Sequence, residues 1–199
     1  MAYTYEVTDI EASPGPTPWQ TVGPFFHYAL PYDAGSQVAG PSRPGAFTLH
    51  GHVYDGAGDP VPDALVEVWQ ADESGAFHEQ PGIFEAPVAE GFRGFGRCPT
   101  DEAGQWSFTT VRPAGVPTAS GEPQAPHLAM SVFARGMLRR VVTRGYLPDS
   151  PENADDPLLA TLEPSRAATL VAVPDDGGYR FDVRLQGPDE TVFLHVVEE

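Results

Sequence analysis

Two histidines separated by a single residue, His50-Gly51-His52, are the first groups in this 199-residue chain that could do chemistry. Side chains alternate along a strand, so two imidazoles at this spacing share a face and form half of a zinc or iron site. A strand face open to water accepts histidines just as readily, and Gly51 supplies no bulk to enclose a cofactor. A third histidine, His127, opens the stretch QAPHLAMSVFARG (Gln124–Gly136). Two residues on, where a second ligand on the same strand face would stand, is Ala129. His78 and His195 lie among acidic or terminal residues and read as surface groups, and the setting of His27 decides nothing. Cys98 follows Arg97, a cation able to lower a thiol pKa, but a small buried side chain is the plainer role for it. The chain carries no G-x-S-x-G elbow, and no glycine-rich loop stands between a strand and a helix to cradle phosphate.

Composition narrows the partners. Eleven Lys and Arg face 28 Asp and Glu, a formal charge of −17. Nucleic acid and anionic membrane are poor partners for such a chain, because affinity for both depends on cationic neutralisation. An anionic substrate would need a local cationic pocket. One cysteine excludes an internal disulfide and suits a reducing compartment. The start has neither a basic segment nor an apolar one of the kind that directs secretion, and no apolar run reaches the length of a membrane span, so a soluble, cytoplasmic protein is expected.

The elements that must position these groups are short. Twenty-one Gly and 22 Pro punctuate the chain, and the stretches between them are rich in β-branched and aromatic residues. The expected fold is all-β, an antiparallel β-sandwich of about eight strands with an extended N-terminal arm and one short helix. The expected strands are 47–54, 64–70, 105–110, 127–135, 138–146, 168–173, 179–186 and 190–197. The helix is expected at DDPLLATLEP, 155–164, from its acidic start, its apolar spacing and its closing proline. Residues 47–199 make the sandwich domain. Residues 1–46 make the arm, whose Trp19, Phe25, Phe26, Tyr28 and Tyr32 are too apolar for a solvated linker, so the arm should pack on a partner chain.

Five segments taken together resemble the intradiol ring-cleavage dioxygenases: TVGPFFH (21–27), GHVYDGAGDPVPDALVEVWQADESGAF (51–77), GFGRCPTDEAGQWSFTTVRP (94–113), APHLAMSVFARG (125–136) and YRFDVRLQGPDETVF (179–193). They span most of the chain, in the family's order. The resemblance implies a β-sandwich that holds non-haem Fe(III) on two tyrosines and two histidines. It also implies a catechol opened by dioxygen between its two hydroxylated carbons to give a muconate. Carried over by position, the ligand set collapses. Phe77 and Val116 stand where the tyrosines belong, His127 survives and Ala129 replaces the second histidine. Gln124 stands where the family pattern has arginine.

That departure resembles the division of labour in the members that act on protocatechuate. There a homologous β chain binds Fe(III), and an α chain binds no metal. The resemblance then implies that this chain binds no iron itself, that a homologous β chain is its obligate partner in a larger oligomer, and that Thr21, Gly23 and Pro24 wall the substrate pocket of that partner. Arg135 is the expected cation for an anionic benzoate, or else an interface ion pair. Two other readings stay open: a β-sandwich binding or scaffold module with no dioxygenase role, and a metalloenzyme built on His50, His52 or His127.

Overall fold

The computed structural model describes residue 23, residues 25–78 and residues 91–195. Among the described residues nine strands form two facing sheets: β1 Phe47–Tyr54, β2 Leu65–Trp69, β3 Phe95–Pro99, β4 Gln105–Thr110, β5 His127–Phe133, β6 Val141–Tyr146, β7 Val173–Asp175, β8 Gly178–Arg180 and β9 Val183–Arg184. The first sheet runs β4-β1-β8-β7, with β9 also pairing β1, and the second runs β3-β2-β5-β6. The expected all-β sandwich is present. The second sheet is antiparallel throughout, whereas β8 and β9 run parallel to β1. Parallel neighbours need a long connection, and most of the domain lies between β1 and β8.

Period-two alternation decides which side chains make the core. Leu49 and Val53 of β1 and Trp106 and Phe108 of β4 face Val66 and Val68 of β2 and Leu128, Met130 and Val132 of β5. None is more than 1% exposed, and burying each such side chain stabilises the fold by about 2 kcal/mol. The outer faces are set by the same register: His50 and His52 on the first sheet, and Glu67, Trp69, His127 and Ala129 on the second.

Several elements differ from expectation. β3 was not foreseen, because FGRCP carries a glycine and a proline. Gly96 is tolerated there because a Cβ would come within 2.6 Å of Val38 Cγ2 and 2.9 Å of Phe108 Cδ1, so only glycine lets the core close. The stretch expected to be helical, 155–164, holds a 3-10 turn at Leu159–Thr161, and another, Pro151–Asp155, ends at its first residue. The helix begins where it was expected to end, as α2, Pro164–Ala168, because a proline in the first turn has no amide hydrogen to leave unpaired. A second short helix, α1 Phe25–Ala29, lies in the arm. Of the strand expected at 168–173 only Val173 is extended in a ladder. Residues 190–195 form no strand but are tied down by Thr191 N–H to Arg184 O (3.0 Å) and Leu194 N–H to Val142 O (2.7 Å); 196 and 197 lie outside the described residues.

The arm's last turn is part of the sandwich. Val38 and Ala39 are fully buried and both donate to the Thr109 carbonyl, at 2.9 and 3.0 Å. Upstream, Arg97 of β3 pairs with Glu67 of β2 at 2.6 Å and donates to the Leu30 carbonyl at 3.0 Å, which fastens the arm to the second sheet.

Candidate functional site

A cleft of about 450 Å³ opens at the outer face of the second sheet, at the end where β5 begins. Phe77, Val116, His127 and Ala129, separated by up to 52 residues in sequence, all line it. Trp69, Gln124 and Arg144 complete the walls that matter chemically.

Register explains the convergence. Ala129 on β5 lies opposite Trp69 on β2 and opposite Arg144 on β6, while His127 lies opposite Tyr146. The small Ala129 side chain therefore leaves a hollow between an indole and a guanidinium. Trp69 stacks on Phe77, with ring centroids 6.3 Å apart and planes at 15°. Phe77 rides on a turn ordered by Asp72, whose Oδ1 accepts from Ser74 N–H (2.8 Å), Ser74 O–H (2.6 Å) and Ala76 N–H (3.0 Å). Its Oδ2 accepts from His78 Nε2 at 2.7 Å. The His78 contact, then the Ser74 hydroxyl, hold the Asp72 carboxyl well below the usual carboxylate range.

His127 is bound from below. Its Nδ1–H donates to the Ala125 carbonyl at 2.8 Å, which leaves Nε2 as an acceptor. Burial and the neighbouring Arg144 charge push its pKa down, so the ring is neutral at ordinary pH. With the Gln124 amide assigned so that its nitrogen meets the Val116 carbonyl (3.1 Å), its oxygen accepts from both terminal nitrogens of Arg144 (3.0 and 3.2 Å). Arg144 Nη1 also reaches the Tyr146 hydroxyl at 3.4 Å, and that hydroxyl donates to Asp156 Oδ1 at 3.0 Å. Asp156 is fully buried and accepts in addition from the N–H groups of Ala125, Leu158 and Leu159. Burial raises the Tyr146 hydroxyl to about 12.

The other candidates lie elsewhere. His50 pairs with Asp175 at 3.1 Å and His52 Nδ1 lies 3.6 Å from Asp182, so each faces its own carboxylate on the outer side of the opposite sheet from His127. Among the described residues no three His, Cys, Asp or Glu side chains are grouped so as to hold a metal ion. Burial pushes the Cys98 thiol up, and Arg97 points to Glu67 instead. His27 Nδ1 lies 3.4 Å from the Ala64 carbonyl. Arg135 stands beyond the far end of β5, its side chain 64% exposed and 3.0 Å from Asp63, outside this cleft. Gly23 is exposed with open space around its Cα, and Thr21 and Pro24 lie outside the described residues.

A family model described as a dioxygenase matches residues 21–187. A protocatechuate 3,4-dioxygenase alpha chain from Pseudomonas putida is 40% identical over 89% of this chain and 95% of its own length. This chain belongs to the intradiol dioxygenase family. A protocatechuate 3,4-dioxygenase beta chain from Burkholderia cepacia is 34% identical over 71% of this chain and 64% of its own. The dioxygenase domain of a dioxygenase and carbohydrate-binding fusion from Streptomyces sp. SirexAA-E superposes with a TM-score of 0.55 at 25% identity, covering 86% of this chain and 99% of that one.

The intradiol dioxygenases are iron-dependent, and the cleft of this member does not fit the metal. Phe77, Val116 and Ala129 carry no donor atom, and His127 offers Nε2 alone. One imidazole cannot complete a ferric coordination shell. The groups that sequence reasoning missed here are Trp69 and Arg144. Arg144 was within reach: a hairpin of 127–135 with 138–146, folded at Gly136-Met137, already sets Ala129 against Arg144. Gln124 stands ahead of β5, and the guanidinium it meets arrives from the neighbouring strand.

Proposed function

We propose that this chain is the non-iron α subunit of a protocatechuate 3,4-dioxygenase. That enzyme adds both atoms of dioxygen across the bond between the two hydroxylated carbons of protocatechuate, giving 3-carboxy-cis,cis-muconate in aromatic catabolism. The observation that carries the reading is the cleft where Phe77, Val116 and Ala129 meet without a donor atom, in a chain 40% identical almost end to end to an α chain. The Fe(III) belongs to a homologous β chain, which is an obligate partner in a larger αβ oligomer. Iron there holds the catechol through both oxygens and draws electron density from it.

This chain completes the partner's pocket. Thr21, Gly23 and Pro24, on an arm rooted by Arg97 and Val38, form one wall against the flat ring. Arg135 supplies the cation for the substrate carboxylate, exposed enough to leave Asp63 for a stronger bidentate partner. The complex acts in the cytoplasm; among the described residues no helix is long and apolar enough to cross a membrane.

The test is coexpression with the neighbouring reading frame, followed by iron content and oxygen uptake on protocatechuate. The chain alone is expected to be colourless and inactive, and the complex coloured and active. In the complex, Arg135→Gln should raise KM for protocatechuate about tenfold with the complex intact, the loss of one charge-assisted contact. An iron-loaded, active chain without a partner overturns the assignment. Failure to copurify with the neighbouring chain returns the binding-module reading.

A further inference from the structure

Several arginines of this acidic chain meet a carboxylate among the described residues, and Arg144 does not. Arg43, Arg97, Arg112, Arg135 and Arg180 each lie within ion-pair distance of a carboxylate. Arg144 has no described carboxylate within that distance, although 28 acidic residues are available. The carboxylate in its network, Asp156, is separated from it by the Tyr146 hydroxyl and already accepts from three backbone N–H groups and that hydroxyl.

The donors can be counted. A guanidinium has five N–H groups in a rigid fork. The Gln124 oxygen takes one from each terminal nitrogen and the Tyr146 hydroxyl takes the other from Nη1. Nε–H and the outer Nη2–H remain without a partner among the described residues. Those two lie on one edge of the fork, the edge that receives a carboxylate through two parallel bonds. Gln124 holds the plane of the group, so little side-chain freedom is lost on binding.

Apart from Gln70, Thr118, Gln124 and His127, the rest of the cleft is apolar. The Trp69 ring, 41% exposed, and the Phe77 ring, 52% exposed, stack in nearly parallel planes, and Val116 and Ala129 add no polar atom. A volume of about 450 Å³ is enough for one ring and its substituents. Exposed aromatic faces beside an unmatched cation favour a planar, anionic occupant. A second hollow, of about 630 Å³, lacks that combination, because its Arg112 is matched by Asp149.

We infer that this cleft is a metal-free binding site for an aromatic carboxylate, with Arg144 gripping the carboxylate and Trp69 and Phe77 flanking the ring. The residues named for it all belong to this chain, so it does not depend on the subunit assignment above. It gives this chain a place of its own to hold a benzoate-like molecule, one where no ring opening occurs.

Equilibrium dialysis of radiolabelled benzoate against the full chain, and against its complex with the iron-bearing chain, counts the sites. One saturable site per copy of this chain is expected, beyond any on the partner. Benzamide, the neutral analogue, should bind at least about tenfold more weakly, which tests the charge without altering the protein. Arg144→Gln should weaken benzoate by a similar factor, and Ala129→Leu, which fills the hollow from the opposite strand position, should abolish binding. Non-saturable uptake, equal affinity for benzamide, or benzoate binding that survives both substitutions overturns the inference. Iron content and oxygen uptake of the complex report on the subunit assignment independently.

Discussion

The Gln124 amide oxygen accepts from both terminal nitrogens of Arg144, and so ties the loop ahead of β5 to the middle of β6 across one wall of the cleft. The same amide donates to the Val116 carbonyl, so a single side chain fixes the directions of a guanidinium and of a loop. Behind that wall, Tyr146 and Asp156 continue the network into the protein, where no water competes.

Asp156 should therefore matter more to stability than any residue that faces the cleft. Asp156→Ala strands the Tyr146 hydroxyl and three backbone N–H groups, and urea unfolding should show a loss of about 3–5 kcal/mol. Asp156→Asn keeps one acceptor oxygen and should lose less. Equal stability of the alanine variant and the parent would show that the network carries no weight.

The His50-Gly51-His52 motif separates chemistry from packing. A Cβ at Gly51 would lie 1.8 Å from the Phe181 carbonyl oxygen, because the chain between β8 and β9 crosses directly over it. Gly51→Ala should cost about 3 kcal/mol by forcing that backbone apart. His50→Gln loses only a partly exposed contact to Asp175 and should cost less than about 1 kcal/mol. The motif's middle residue, and not its imidazoles, is the one whose replacement thermal unfolding should detect.

The depressed pKa of His127 makes a pH prediction whose sign follows from proton counting. Burial, assisted by Arg144, holds the folded value below the ordinary 6.5, so between the two values the unfolded chain binds more protons. Stability from this group is complete above 6.5 and is lost as pH falls from there toward the folded pKa. Replacing His127 by Asn removes this term. Urea midpoints measured near pH 8 and near pH 5 should fall less on acidification in the variant than in the parent. An identical fall in both would place the pH dependence elsewhere.

Strands with period-two patterns were legible in the sequence. Phe47–Tyr54 and Gln105–Thr110 match the structure residue for residue, since each alternates core and surface groups between clear turns. β3 was hidden because Gly96 looks like a breaker, and the reason it is not one lies in Val38 and Phe108, which no local window contains. Pro164 illustrates the converse, since a proline marks helix starts as well as ends and only the neighbouring turns decide. At the cleft, Phe77, Val116, His127 and Ala129 were legible through resemblance to a family. Arg144 was within reach only through the hairpin register that sets it against Ala129, and its tie to the amide of Gln124 was not legible at all.

The groups that give the cleft its shape, Asp156, Tyr146 and Asp72, are distinct from Phe77, Val116 and Ala129, which line it. Scaffold and reactivity are thus carried by different residues. A fold built this way can keep its architecture while the lining of its cleft changes, because replacing a lining side chain leaves the buried network behind it intact.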